Sequence, residues 1–133
     1  MAVKASTIPT LLRTATGEDD DWAGDQTAPP AGELVDLDGR HELFGVTALA
    51  LDAEGAVVAS ATIDLQPVIY HPKRIKGGAA AGPLVEAGSV DSAVPSGHLA
   101  TYDVRGAGAF TVRVASALPG GVASVELYGR VIR

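Results

Sequence analysis

The residues with most capacity for chemistry are three histidines, His41, His71 and His98, and a set of carboxylates crowded into the first half of the chain. The most metal-like string is Asp36-Leu37-Asp38-Gly39 followed by Glu42. Alternate carboxylates ahead of a glycine are how calcium loops gather oxygens about one point. A helix–loop–helix site needs further oxygens at fixed positions and a flanking helix, and this string has neither. A strand-to-strand turn with its acids in water is the plainer reading. Asp19, Asp20 and Asp21 are consecutive, so their side chains splay apart and do not converge on an ion. The histidines never stand at ligand spacing. His41 and its neighbour Glu42 point to opposite faces of an extended chain, and His71 is held extended by Pro72. Convergence of the three distant histidines on zinc is the one metal chemistry left open. The expectation is a chain with no metal and no cofactor.

Nucleophilic chemistry finds equally little to work with. The chain has no cysteine, hence no thiolate nucleophile, no disulfide framework and no thiolate zinc site. Ser96-Gly97-His98 has suitable residue types, but no Gly-x-Ser-x-Gly elbow or strand-to-helix setting accompanies it. Gly77-Gly78 and Gly106-Ala107-Gly108 lack the lysine, the hydroxyl and the helix with which a phosphate loop works. A glycosidase-like pair of carboxylates is not excluded by sequence, yet no long aromatic loops accompany one. The chain therefore reads as non-enzymatic.

Charge is the more informative property. Residues 17–54 hold eleven of the sixteen acidic side chains and one base, Arg40, while the whole chain is only -6. An acidic chain of this kind is a poor partner for nucleic acid, whose phosphates would repel it. No apolar run approaches the ~20 residues of a membrane-spanning helix, and the first residues lack the apolar stretch of a secretory signal. Partners are expected instead to be proteins. Tyr70-His71-Pro72-Lys73-Arg74-Ile75-Lys76 sets the cations Lys73, Arg74 and Lys76 close together, a natural complement to the acidic segment within one chain or between copies. Unlike patches meeting head to tail build rings and lattices; a solvated loop tip is the competing reading. Trp22, the single tryptophan, stands in the acidic stretch, where it either folds back on its own domain or anchors on a neighbour.

The elements that would position these residues are strands. With 133 residues and 47% hydrophobic side chains, the chain suffices for one packed domain. ELFGVTALAL alternates with period two, Phe44, Val46, Ala48 and Ala50 on one face and Leu43, Thr47, Leu49 and Leu51 on the other. After a DAEG turn, AVVASATIDLQP is expected to return as the second strand of a hairpin, with Val57, Ala59, Ala61, Ile63 and Leu65 inward. HLATYDV, FTVRVAS and VASVELYGRVIR repeat the plan with glycine turns between them, Phe110, Val112 and Val114 inward against Thr111 and Arg113, then Ala123, Val125, Leu127, Gly129 and Val131 inward. Residues 71–97 read as a long crossing loop with one short strand near Pro83–Glu86. TIPTLLRTA can form a strand that Pro9 confines to an edge or bulge. The expected architecture is all-β: an antiparallel β-sandwich of jelly-roll or immunoglobulin-like type over residues 42–133, with an extended acidic N-terminal arm over 1–41.

The lines TYDVRGAGAFTVRV and GGVASVELYGRV, with their short valine strands and glycine turns, resemble the small β-sandwich structural proteins of tailed-phage particles, of the capsid decoration (cement) or head–tail accessory type. The acidic, proline-containing arm is similar to the arms with which such subunits grip their neighbours. The resemblance implies a non-enzymatic virion protein assembled in the host cytoplasm, binding copies of itself and a capsid or tail protein. Trp22, Asp19, Asp20, Asp21, Lys73, Arg74 and Lys76 are the candidate contacts. The alternative function is a carbohydrate-binding β-sandwich module, for which Trp22, Tyr70, Tyr102 and Tyr128 are the available rings. A small jelly-roll enzyme, requiring the histidines to meet, is a third.

Overall fold

The alternation in ELFGVTALAL produces a nine-residue strand, β4 (Leu43–Leu51), with Phe44, Val46, Ala48 and Ala50 buried and the leucines of the other face half-buried. It belongs to a computed structural model that describes residues 3–19, 35–37, 39–71 and 84–133. The other strands are β1 (Val3–Lys4), β2 (Thr10–Ala15), β3 (Val35–Asp36), β5 (Thr62–His71), β6 (Leu84–Ala87), β7 (Asp91–Pro95), β8 (Leu99–Asp103), β9 (Ala109–Val114) and β10 (Ser124–Val131). No helix occurs among the described residues, and the fold is the expected all-β sandwich. One sheet has the order β2-β10-β4-β8; the other runs β1-β3-β9-β5-β6, with β7 also paired to β5. Every pairing is antiparallel except the short β1–β3 ladder.

The expected hairpin of β4 and β5 does not form, because these strands lie in different sheets. DAEG does turn the chain: Asp52 accepts the Glu54 and Ala56 N–H groups, and Gly55 takes φ +84°. The return leg makes one bridge, Leu51 to Val57, before crossing to the other sheet. Val57 and Ala59, expected inside, are therefore exposed, and the inward series begins only at Ala61, just ahead of β5. The strand also runs beyond Pro67 to His71. A residue's N–H and C=O point to the same side of an antiparallel strand. The Pro67 carbonyl accepts the Gly88 N–H, so its missing N–H faces the break between β6 and β7. That break is how a central strand accommodates proline.

Long-range pairing replaces the local hairpins. β2 pairs with β10, β3 with β9, β4 with β8, and β5 with β6 and β7. The chain is thus a doubled ribbon, rolled so that β10 also meets β4 and β9 also meets β5. Thr10–Ala15 is the edge strand of the four-stranded sheet, with Leu12 and Ala15 in the core, and Val35 and Leu37 are fully buried. Leu37 donates its N–H to the Gly108 carbonyl and Gly39 to that of Ala107. The DLDG string therefore docks on the glycine turn after β8; Asp38 lies outside the described residues.

Between the sheets, the Phe44 and Phe110 rings lie 5.1 Å apart and Tyr102 stands 5.9 Å from Phe110. Val125, Leu127, Gly129 and Val131 face this core as the alternation predicts, although Ala123 is exposed ahead of the strand. Thr111 was expected in water but is only 3% exposed, and its cross-strand partner Val68 is fully buried. Both lie on the outer face of their sheet, opposite in sense to Phe110 and Val112, so that sheet is covered on both sides at this point.

β7 was not foreseen, and its backbone explains why. Ala93 adopts φ +57° at an irregularity where Ile63 pairs with Val94 but Leu65 with Asp91. The bulge breaks the alternation that would have marked a strand. Asp64 holds it by accepting the Ala93 N–H (2.8 Å) and the Ser116 hydroxyl (2.7 Å). These bonds, the Ala93 amide foremost, keep the Asp64 carboxyl below its usual range. Its stabilising contribution is complete above the unfolded carboxylate value and fades as pH falls through the lower folded one. Relief of the left-handed alanine by A93G is expected to stabilise the fold by about 0.5–1 kcal/mol, the steric gain exceeding glycine's entropic cost. Urea unfolding of the two chains at neutral pH measures it; a lower midpoint for A93G would contradict this account of the bulge.

Candidate interaction surfaces

Asp19 is the one proposed contact residue whose surroundings are described in full. Its carboxylate accepts both terminal nitrogens of Arg13 and, at 2.8 Å, the Val114 N–H. Its own N–H donates to the Val114 carbonyl, and its carbonyl accepts Arg113 Nε. Arg13 further donates to the Val112 carbonyl, while Arg113 donates to Gln66 and lies 3.6 Å from Glu18. The network ties β2 of one sheet to β9 of the other. A bulge makes this possible: Leu127 pairs with Arg13 but Tyr128 with Leu11, so the intervening Leu12 is extra and both Leu12 and Arg13 turn inward. The Arg13 and Asp19 side chains are only 11% and 12% exposed. Asp19 is thus engaged within its own chain. Trp22, Asp20, Asp21, Lys73, Arg74 and Lys76 lie outside the described residues.

The sequence reading missed Arg13, Arg113 and Gln66. Arg13 meets Asp19 six residues on, but the contacts that place the pair, Arg13 to Val112, Arg113 to Asp19 and Arg113 to Gln66, span 99, 94 and 47 residues, separations at which spacing carries no signal. The only local hint was an arginine at a position that the alternation of β2 would turn inward once the bulge is allowed.

An open hollow of about 190 Å³ is lined by Glu42, Leu43, Asp103, Arg105 and Arg133. Arg105 grips Asp103 through Nε and Nη2, the latter at 2.6 Å, and these hydrogen bonds hold the Asp103 carboxyl down to about 2. A carboxyl so acidic is ionised at neutral pH and cannot serve as a general acid. The pair is exposed and contributes little to stability. Among the described residues, no group of three or more histidine, aspartate or glutamate side chains could hold a metal ion.

The rings proposed for a sugar platform are placed differently from one another. Tyr102 packs on Phe110 and donates its hydroxyl to Asp91; burial, then the Asp91 carboxylate, push its phenol upward. It is a half-buried residue packed against the core. Tyr128 lies on the outer face of β10 and donates to Glu126 at 2.9 Å, a bond that raises its phenol in turn. The Tyr70 side chain, like Trp22, is outside the described residues.

The two outer sheet faces differ sharply. On the β9–β5 side, Val68 and Thr111 are covered, and Gln66 and Arg113 are bonded to each other. On the four-stranded sheet, one row across the strands is Leu11, Tyr128, Thr47 and Leu99, with both leucines 45% exposed. Leu49 pairs with Glu126 on one side of this row and Gly45 with Arg130 on the other. The Leu99 and Ile132 side chains lean over Gly45, where a Cβ would come within 2.7 and 3.0 Å of them. The result is an apolar outer surface flanked by single charges.

These features define an all-β sandwich with β2 tied down by an ion-pair network and one outer face rich in leucine. Comparison of the chain with models of known protein families, with curated proteins and with solved structures found no match.

Proposed function

We propose that this chain is a non-enzymatic structural subunit of a virus particle, stabilising or decorating a capsid or head–tail lattice. The observation that carries the reading is the doubled ribbon: β2 on β10, β3 on β9, β4 on β8, β5 on β6 and β7. That order supports the jelly-roll winding over the immunoglobulin-like one, and jelly rolls recur in viral capsid proteins as well as in lectins and cupins. Fold analogy alone does not assign function. The capsid-type reading is favoured by the apolar outer face of the four-stranded sheet and by the concentration of acid in residues 17–54, both features of a surface that meets other proteins. Such a subunit works through contact area, and its partners are copies of itself and a capsid or tail protein.

Mass spectrometry of density-purified virus particles from the source culture tests this directly. The chain is expected as a stoichiometric component that survives washing in moderate salt. Its absence from purified particles overturns the reading.

A further inference from the structure

We propose that the outer face of the β2-β10-β4-β8 sheet is a two-fold interface that joins two copies of this chain. The inference rests on the assembly reading above and names the partner of one of its surfaces.

Three observations lead to it. First, β4 is largely apolar on both faces, with Leu43, Leu49 and Leu51 outward beside Gly45 and Thr47, and Phe44, Val46, Ala48 and Ala50 in the core. A strand apolar on both sides is the pattern of a sheet covered on both sides. Second, the opposite outer face of the sandwich is already buried at Val68 and Thr111, which leaves this face as the open one. Third, the charges on it are arranged for self-recognition. β10 presents Glu126, Tyr128 and Arg130 outward in succession, with Tyr128 in the central row beside Leu11 and Thr47. Neither Glu126 nor Arg130 has an ion-pair partner among the described residues.

A two-fold axis along the row Leu11–Tyr128–Thr47–Leu99 would place each of these residues opposite its own copy. Positions above and below the row exchange. Glu126 and Arg130 each stand two residues from Tyr128, about 7 Å along the strand, so Glu126 of one copy would face Arg130 of the other, twice per interface. Packed sheets are ~10 Å apart, a gap that a glutamate and an arginine reaching toward each other can span. No other in-plane axis does this: one parallel to β10 would set Glu126 against Glu126. The four strands, of 6, 8, 9 and 5 residues, offer roughly 450 Å² per copy, about 900 Å² in all, the size of a weak, reversible interface.

Sedimentation velocity on the full chain, over roughly 5–200 µM, tests the geometry. The parent is expected to dimerise. E126R and R130E should each weaken the dimer about tenfold or more, because like charges then meet twice. The double variant E126R/R130E should restore it, since the exchange preserves two-fold complementarity. L99D, an exposed position on the axis row, should also abolish it, and thermal melts confirm that each variant is folded. A chain that stays monomeric throughout overturns the proposal. So does a dimer whose dissociation constant is indifferent to the single charge reversals, which would place self-association on another surface. Neither result bears on whether the chain is found in particles, so failure here is distinct from failure of the functional reading.

Discussion

Alanine at Asp19 is expected to destabilise the chain by about 3–5 kcal/mol, the range for removing one partner of a buried ion pair. The carboxylate neutralises the Arg13 guanidinium, whose Nε already has no hydrogen-bond partner, and caps the Val114 N–H. Without it, a cation about nine-tenths buried remains between the sheet edges with only the Val112 carbonyl beside it. Total stabilities of single domains are about 5–15 kcal/mol, so this one position decides a large share of the total. D19N keeps the shape and an acceptor oxygen but not the charge, and should cost about half as much. In the D19A background, R13M should recover part of the loss, because the stranded cation is gone. Urea unfolding of the four chains gives the comparison. A D19A penalty below about 1 kcal/mol would mean that the pair behaves as a surface salt bridge and that the network does not clasp the sheets.

The same result bears on how the acidic segment is probed. A variant that loses Asp19 would lose docking through unfolding, whatever its neighbours contact. Charge changes meant to report on partners therefore belong at Asp20, Asp21, Lys73, Arg74 and Lys76, with Asp19 intact.

What could be read from the sequence was the face of each strand, and what could not was its neighbour. The alternation in Phe44–Ala50 and in Val125–Val131 follows from the pleat alone, and both strands bury those residues. Alternation says nothing about pairing. The DAEG turn looked like a hairpin because it is a turn, with Gly55 left-handed as expected; one bridge later, the chain leaves for the other sheet. The partner of β4 on that side is β8, some fifty residues on, joined through Leu43–Asp103 to Thr47–Leu99. β7 was invisible for a related reason: Ala93 steps out of the extended region and the pattern loses its period. The clasp at Asp19 was hidden too, since Asp19 reads as one of three acids in a loop until β9 is beside it. Surface composition was legible from the start. Leu43, Thr47, Leu49 and Leu51 were legible as one face of β4, and the structure places them half-buried on the outer side of the sheet.

Alanine at Gly129 is expected to cost about 1–3 kcal/mol, the range for overpacking a filled core. Gly129 faces inward on β10, opposite Val46 and Thr10. A Cβ there would stand 2.6 and 2.7 Å from the Phe44 ring and 2.9 Å from Leu12 Cδ1. Leu12 is itself buried in the core. The Phe44 ring is held by Phe110 behind it, and Phe110 by Tyr102. The glycine is therefore required by the ring, and shortening the ring should release the requirement. F44L alone opens a cavity and is destabilising, by less than the roughly 3–5 kcal/mol of phenylalanine-to-alanine changes. In F44L, however, the methyl group of G129A occupies the vacated space. The double variant should be more stable than the sum of the single losses by about 1 kcal/mol or more, within the coupling expected for residues in contact. Strict additivity would show that β10 relieves the clash by shifting its backbone. Such a shift would also displace Tyr128 and Arg130 on the opposite side of the strand, so sedimentation of G129A gives a second reading: dimerisation unchanged if the ring gives way, weakened if the strand does.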